Sequence, residues 1–527
     1  MKRQASILLL WVFVAGANLL PLVNKYLPFT DLQGHAGLVG ALAHLHDPEA
    51  RIGELYAPNL RLLTSMLFEA LGWMASAVMP IPLFTNLFLG IFCILGFPLC
   101  MLALLRAYGR DGRLALLLFP LVYYRCVWFG FINYVAAVPL VLLGLALLRR
   151  YLDAQQQQQQ GAHAEQEARS LLGLALLAVL LVLGHFFAAL VFFGLTALVL
   201  LHEQPARRAI VRLAVALLPS IIYLGYGISG FPTSTGSPKA PFKSLLFANR
   251  RWTELPQQFV AWSIRGYQRP LDRWVLGATA LSMVAALIHA WRRSPPAQLA
   301  TRKQLQQQPL LLLGAALGLF ILFPTTIDTW WAVNVRFVPF IWAFALLCIP
   351  APAQPTPLWL LAPALVAAML WGGYLAWDFR SYNRGELAGF DAALDDIPKG
   401  RLVQALWPRF SDENHYSQFP MAHLANHYVV RRGGLVCPML GGAPRQIPIA
   451  PRHKLTSVAW GRSESFSYRQ HGADWEYFLV KAPQPGRPPL PPIFADAPPD
   501  AVTLISQHGL WSVYKNNRPV KLIKPTM

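Results

Sequence analysis

The sequence predicts a multi-pass α-helical membrane protein of about eleven spans with a small α/β or α+β domain at its carboxyl end. Three observations predict it. Hydrophobic residues make up 55% of the 527 positions and charged residues only 13%, far from the balance of a water-soluble chain. Apolar runs long enough to cross a hydrocarbon core of about 30 Å recur through residues 6–377. From residue 378 the composition changes, with prolines, acids and bases returning between short strand-like and helix-like runs.

The first apolar run, about 6–23, follows a basic start (Lys2, Arg3) and has no small-residue cleavage site after it, so it reads as an uncleaved span. The second covers about 83–105. The run 114–148 is too long for one crossing, and its aromatic, polar middle predicts two spans joined by a tight turn near Arg125 to Asn133. The runs 170–201, broken at Gly184-His185, and 211–229 give three more. Runs at 273–290, 309–325, 335–350 and 357–377 complete eleven. An odd number puts the tail on the side opposite the amino terminus.

Charge fixes the expected orientation. With the amino terminus in the cytoplasm, Arg106, Arg110, Arg113, Arg149, Arg150, Arg207, Arg208, Arg212, Arg292, Arg293, Arg302 and Lys303 all face inward, as cationic loops do. The stretch 58–79 is long enough to cross, but a crossing there would invert every later loop. Its Arg61 and Glu69 suit a helix lying on the membrane surface. The expected location is therefore a cytoplasmic membrane, with residues 1–377 forming the transmembrane domain and 378–527 a soluble extracytoplasmic domain. The glutamine-rich segments 151–169 and 294–308 read as flexible polar linkers.

In the tail the pattern predicts helices near 384–396 and 418–431, the latter ended by Gly433-Gly434. Strands are predicted at 401–407 and 475–481, and a hairpin over 503–515 turns at His508-Gly509. Of the five cysteines, Cys93, Cys100, Cys126 and Cys348 lie in or beside spans and only Cys437 in the tail, so no disulfide framework exists there. The formal charge of +20 forms no basic stripe interleaved with aromatics on a soluble module, and nucleic acid is not an expected partner.

Candidate chemistry concentrates in the first loop, 24–82, where acids (Asp31, Asp47, Glu49, Glu54, Glu69) and histidines (His35, His44, His46) collect between spans that are otherwise nearly uncharged. Asp31 lies a few residues past the first span, at the membrane edge, where a carboxylate is partly desolvated and its basicity raised. His35 is four residues on and shares its helix face. His185 interrupts an apolar run, Arg336 opens a span, and the loop 230–272 is unusually basic, with Arg250, Arg251, Arg265 and Arg269. No GxSxG, HExxH, Walker or Rossmann fingerprint occurs in a usable context.

The motifs TDLQGH (30–35), YAPNL (56–60), WFGFINY (128–134), LGHFFA (183–188), NVRFVPF (334–340), HLANHYVVRRGG (423–434) and DWEYFLV (474–480), in this order of spans and loops, resemble the GT-C superfamily of integral-membrane glycosyltransferases. The resemblance implies transfer of a sugar, of the inverting type, from a polyprenyl-phosphate donor to a glycan, lipid or protein acceptor at the outer face. Asp31 would be the general base, assisted by His35, with Arg336, His185, Arg250 and Arg251 on the lipid phosphate. Glu54 or Glu69 would be the second acid that many members carry beside the first, and the resemblance leaves room for a divalent metal. Two other classes stay open at this point: a transporter or flippase of lipid-linked glycans, and a membrane anchor for a binding module. Against transport, His185, Arg125, Asp328 and Arg336 lie toward span ends and not at the midplane.

Overall fold

The computed structural model describes residues 2–58, 64–158, 164–229, 245–246, 252–267, 271–293, 298–327, 330–351, 354–407, 416, 419–437, 449–452, 463–482 and 493–518. Among the described residues eight helices are long and apolar enough to cross a membrane: Ala5–Val23, Ile81–Ala107, Ile132–Gln156, Glu165–Gly184, Phe186–Glu203, Arg207–Gly225, Asp272–Arg292 and Leu358–Arg384. Shorter apolar helices at Gly112–Leu121, Gln307–Leu322 and Asn334–Leu347 fill the remaining expected positions. All eleven expected segments are therefore helical, and two of the shorter ones, Gly112–Leu121 and Asn334–Leu347, fall short of a full span. The first of these is a 3-10 helix of 10 residues, about 20 Å long at the usual rise.

The expectation of linkers at the glutamine-rich segments needs correction. Helix Ile132–Gln158 runs into the glutamine tract, and helix Gln298–Leu322 begins inside the second one. Glutamine, leucine, lysine and arginine are good helix formers, so a span extends into them once it has been nucleated.

Helix α1 (Lys2–Leu19) leads into the first loop, where α2 (Leu32–Ala43) and α3 (Leu67–Ala75) form. Helix α3 has 9 residues, about 14 Å of length, which cannot cross a bilayer. It buries Leu67, Phe68, Glu69 and Gly72 and exposes Trp73 and Met74. That division suits a helix lying on a membrane surface.

The carboxyl-terminal sheet has five strands: β1 (Leu402–Leu406), β2 (Leu435–Cys437), β3 (Tyr477–Lys481), β4 (Val502–His508) and β5 (Trp511–Asn516), in the order β2-β1-β3-β5-β4. Strand β1 runs parallel to both its neighbours, and β5 is antiparallel to β3 and β4. The expected strands and hairpin are present. The predicted helix at 418–431 is confined to a 3-10 turn and α4 (His427–Arg432), which ends at Gly433.

The sheet segment is not hung at a distance from the first loop. Helix α4 lies against α2, where Gly40 approaches so closely that a Cβ would stand 2.6 Å from the Val430 Cα. Tyr56–Pro58, the described part of the YAPNL motif, pairs antiparallel with Ile449–Pro451. Lys25 and Arg431 both meet Asp391, at 2.7 and 2.9 Å.

Candidate active site

Asp31 is held by the turn that joins two apolar helices. The Thr30 and Asp31 amides donate to the carbonyls of Trp128 and Phe129, at 3.1 and 3.0 Å. Gly130, with φ +71°, follows so closely that a Cβ there would lie 2.4 Å from the Leu32 nitrogen. Only glycine adopts this conformation freely and leaves that space. Asp31 stands at the N-cap position of α2 without capping it through its side chain. Its carboxylate is thus available to neighbours from elsewhere in the chain.

The Asp31 side chain is 25% exposed, and burial pushes its carboxyl up to about 6 against the opposing pull of His35 and Arg336. His35 occupies the first turn of α2, its amide donating to the Asp31 carbonyl at 3.0 Å. The His35 ring meets Glu69 Oε1 at 2.5 Å. Glu69, 2% exposed, also accepts from Asn133 Nδ2 at 2.9 Å, and Asn133 Oδ1 accepts from the Phe68 amide. Glu69 thus holds the His35 ring, and His35 acts on the Asp31 carboxylate through its charge.

Arg336 approaches from the other side. Its guanidinium lies over Phe131 at 4.8 Å and Tyr134 at 5.3 Å. It donates to His185 Nε2 at 3.1 Å and to the carbonyls of Ala332 and Trp331 at 3.3 Å. The Tyr134 hydroxyl donates to the Arg336 carbonyl. The expected neighbourhood of His185 and Arg336 is thus present, with much of the guanidinium held by carbonyls. Asp328 lies outside the described residues, as do Arg250, Arg251 and Arg269.

The tail contributes a residue that sequence reasoning did not single out. His423 Nε2 lies 3.6 Å from Asp31 Oδ1, and its side chain is 6% exposed. One turn on, His427 meets Gln33 Oε1 at 2.5 Å, while burial presses its pKa down to about 3 and keeps it neutral. Gln33 in turn donates to the Leu27 carbonyl at 2.8 Å, bracing the segment before Asp31. The HLANH run carried the only available signal: two histidines four apart on a short helical stretch.

Glu54 stands outside this chain of contacts. Both its oxygens accept from Arg51 at 2.8 Å, and Arg51 also faces Glu476 at 3.5 Å. It belongs to an ion-pair group between the first loop and the sheet, whereas Glu69 is part of the site. Among the described residues no group of three or more His, Cys, Asp and Glu side chains could hold a metal ion.

Two crystal structures of ArnT from Cupriavidus metallidurans are similar to this chain over nearly its full length. The apo structure has a TM-score of 0.51 at 11% identity, covering 98% of both chains. The structure bound to undecaprenyl phosphate has a TM-score of 0.54 at 12% identity, covering 98% of this chain and 99% of that one. The likeness is one of fold: this chain is ArnT-like in architecture. No family model and no curated protein matches the sequence. Within this fold, TDLQGH, WFGFINY, LGHFFA, NVRFVPF and HLANHYVVRRGG all bring side chains or carbonyls to the surroundings of Asp31. DWEYFLV instead supplies β3 of the sheet.

Proposed function

We propose that this protein is a membrane glycosyltransferase that moves a sugar from a polyprenyl-phosphate donor to an acceptor hydroxyl at the outer face of a bacterial cytoplasmic membrane. The observation that carries the reading is the partly buried Asp31 carboxylate, ringed by His35, His423 and the charge of Arg336. The similarity in fold to an undecaprenyl-phosphate-bound ArnT supports the choice of carrier.

In the reaction we infer, the acceptor oxygen attacks the anomeric carbon as the bond from that carbon to the phosphate oxygen breaks. The electron pair leaves with the polyprenyl phosphate, and the hydroxyl proton passes to Asp31. A single displacement of this kind inverts the anomeric centre. A hydroxyl is a weak nucleophile, and a carboxylate with a pKa pushed toward neutrality is a better base than an ordinary aspartate. His35, braced by Glu69, orients Asp31. Arg336 and His185 supply donors and positive charge that favour the departing phosphate most in the transition state. Glu54 and the described ion pairs around it act in docking the tail, residues 378–527, which we take as an extracytoplasmic domain. A divalent cation would need donors beyond the described acids and histidines, and chelation followed by Mg²⁺ or Mn²⁺ add-back tests whether transfer depends on one.

The test is transfer by the purified full chain in lipid nanodiscs. Asp31→Asn should lower the rate by about 100- to 10,000-fold, the usual worth of a general base, while binding of the donor lipid is retained. Near-normal transfer by a properly folded Asp31→Asn protein would overturn the assignment.

A further inference from the structure

Beside the Asp31 site lies a shelf of aromatic rings. Phe129 stacks on Phe131 at 5.7 Å and on Trp262 at 5.4 Å, and Trp331 meets Phe129 edge-on at 5.0 Å. Arg336 covers the Phe131 end. Arg125 covers the other end, its guanidinium 5.3 Å from the ring centres of both Phe129 and Trp262.

The two arginines are provided for differently. Arg336 has carbonyls and His185. The Nε of Arg125 is buried and donates to nothing among the described residues, and among those residues no carboxylate forms an ion pair with this guanidinium. The charged groups that face it are Arg265 and Asp272. Arg265 repels it, and Asp272 already accepts from the Gly266 amide at 3.0 Å. Burial and Arg265 together press the Arg125 pKa down to about 10, which leaves it charged at neutral pH.

A desolvated guanidinium beside a second cation is costly unless an anion joins it. The Arg125 guanidinium lies beside the Phe129 and Trp262 rings, and its planar fork of N–H donors matches the paired oxygens of a phosphate. We propose that Arg125, with Arg265 beside it, forms an anion site for the phosphate ester of a lipid headgroup at the far end of the aromatic shelf from Arg336. The inference rests on the transferase reading only for the identity of the lipid. The Phe129 carbonyl that holds the Asp31 amide belongs to the same shelf, so an occupied site is mechanically joined to the proposed base.

The experiment measures equilibrium binding to the full chain, without transfer, for three probes: inorganic phosphate, phosphatidylglycerol in nanodiscs, and undecaprenyl phosphate. Arg125→Gln should weaken binding of undecaprenyl phosphate by about 10- to 100-fold, as expected for a lost charge-assisted pair. Arg125→Lys, which keeps the charge but loses the fork, should weaken it less. Loss confined to undecaprenyl phosphate supports a carrier site, and equal loss for phosphatidylglycerol supports a site for membrane phosphate esters at large. Unchanged dissociation constants for all three probes in both variants overturn the proposal. Asp31→Asn should bind as the parent does. A protein that binds through Arg125 yet transfers no sugar would sink the transferase reading and leave this site standing.

Discussion

Asp31 and His423, from opposite ends of the chain, face each other at 3.6 Å inside the structure. The first belongs to the loop after the first apolar helix and the second to the segment that leads into α4. Their meeting makes the carboxyl-terminal region part of the candidate site, and it depends on the close packing of α4 against Gly40 of α2.

His423→Ala should therefore lower the rate of transfer by about tenfold or more, at the small end of what a positioned acid–base group contributes. A donor beside a carboxylate favours its ionised form, so losing it should also move the acid limb of the pH–rate profile upward. An unchanged limb with only a loss of thermal stability would reduce His423 to a packing role.

The raised pKa of Asp31 makes two claims about pH. Transfer needs the carboxylate, so kcat/KM should climb through about pH 6 and level off above it. An acid whose pKa rises on folding holds its proton more tightly in the folded state. The fold then loses stability as pH rises from the ordinary aspartate value near 4 to about 6, and above that the loss is constant, on the order of 3 kcal/mol. Asp31→Asn should accordingly melt higher than the parent at pH 7.5 and near it at pH 4. Thermal unfolding in detergent at the two pH values checks this, and a lower melting point at pH 7.5 would contradict it.

Glu69 joins His35 to Asn133 from a buried position. Glu69→Gln keeps the shape but removes the charge, and it should cost about 1–3 kcal/mol of stability through the buried groups left poorly paired. Asn133→Ala should act through the same contacts, so the double variant should lose less than the two single losses added together. Simple additivity in thermal unfolding would mean that the two side chains do not act as a unit.

Orientation can be read with single cysteines in a background lacking the native five. Cysteines replacing Thr503 in β4 and Ser76 at the end of α3 should react with an impermeant thiol reagent added outside, and one replacing Arg169 should not. Labelling of Arg169→Cys from outside with protection of Thr503→Cys would reverse the proposed topology.

The sequence by itself determined the layout. Hydropathy located all eleven helical segments, because lipid demands apolar, internally hydrogen-bonded stretches. A crossing by the 58–79 stretch would invert the charge bias of every later loop, and α3, the helix within its described part, has only 9 residues. Strand alternation and the glycines at 433–434 gave most of the sheet region. Asp31, His35, Arg336, His185 and Glu69 were legible because charge or histidine beside an apolar run is rare enough to notice. Only the tertiary structure decided how they combine. Which acid joins His35, that Glu54 serves an ion pair with Arg51 instead, and that His423 reaches Asp31 are contacts between distant segments, and local pattern carries no information about which distant segments touch. Arg125 makes the same point: a charged residue in a turn looks ordinary in sequence, and only the packing of Phe129 and Trp262 around it shows a buried Nε that donates to none of the described residues.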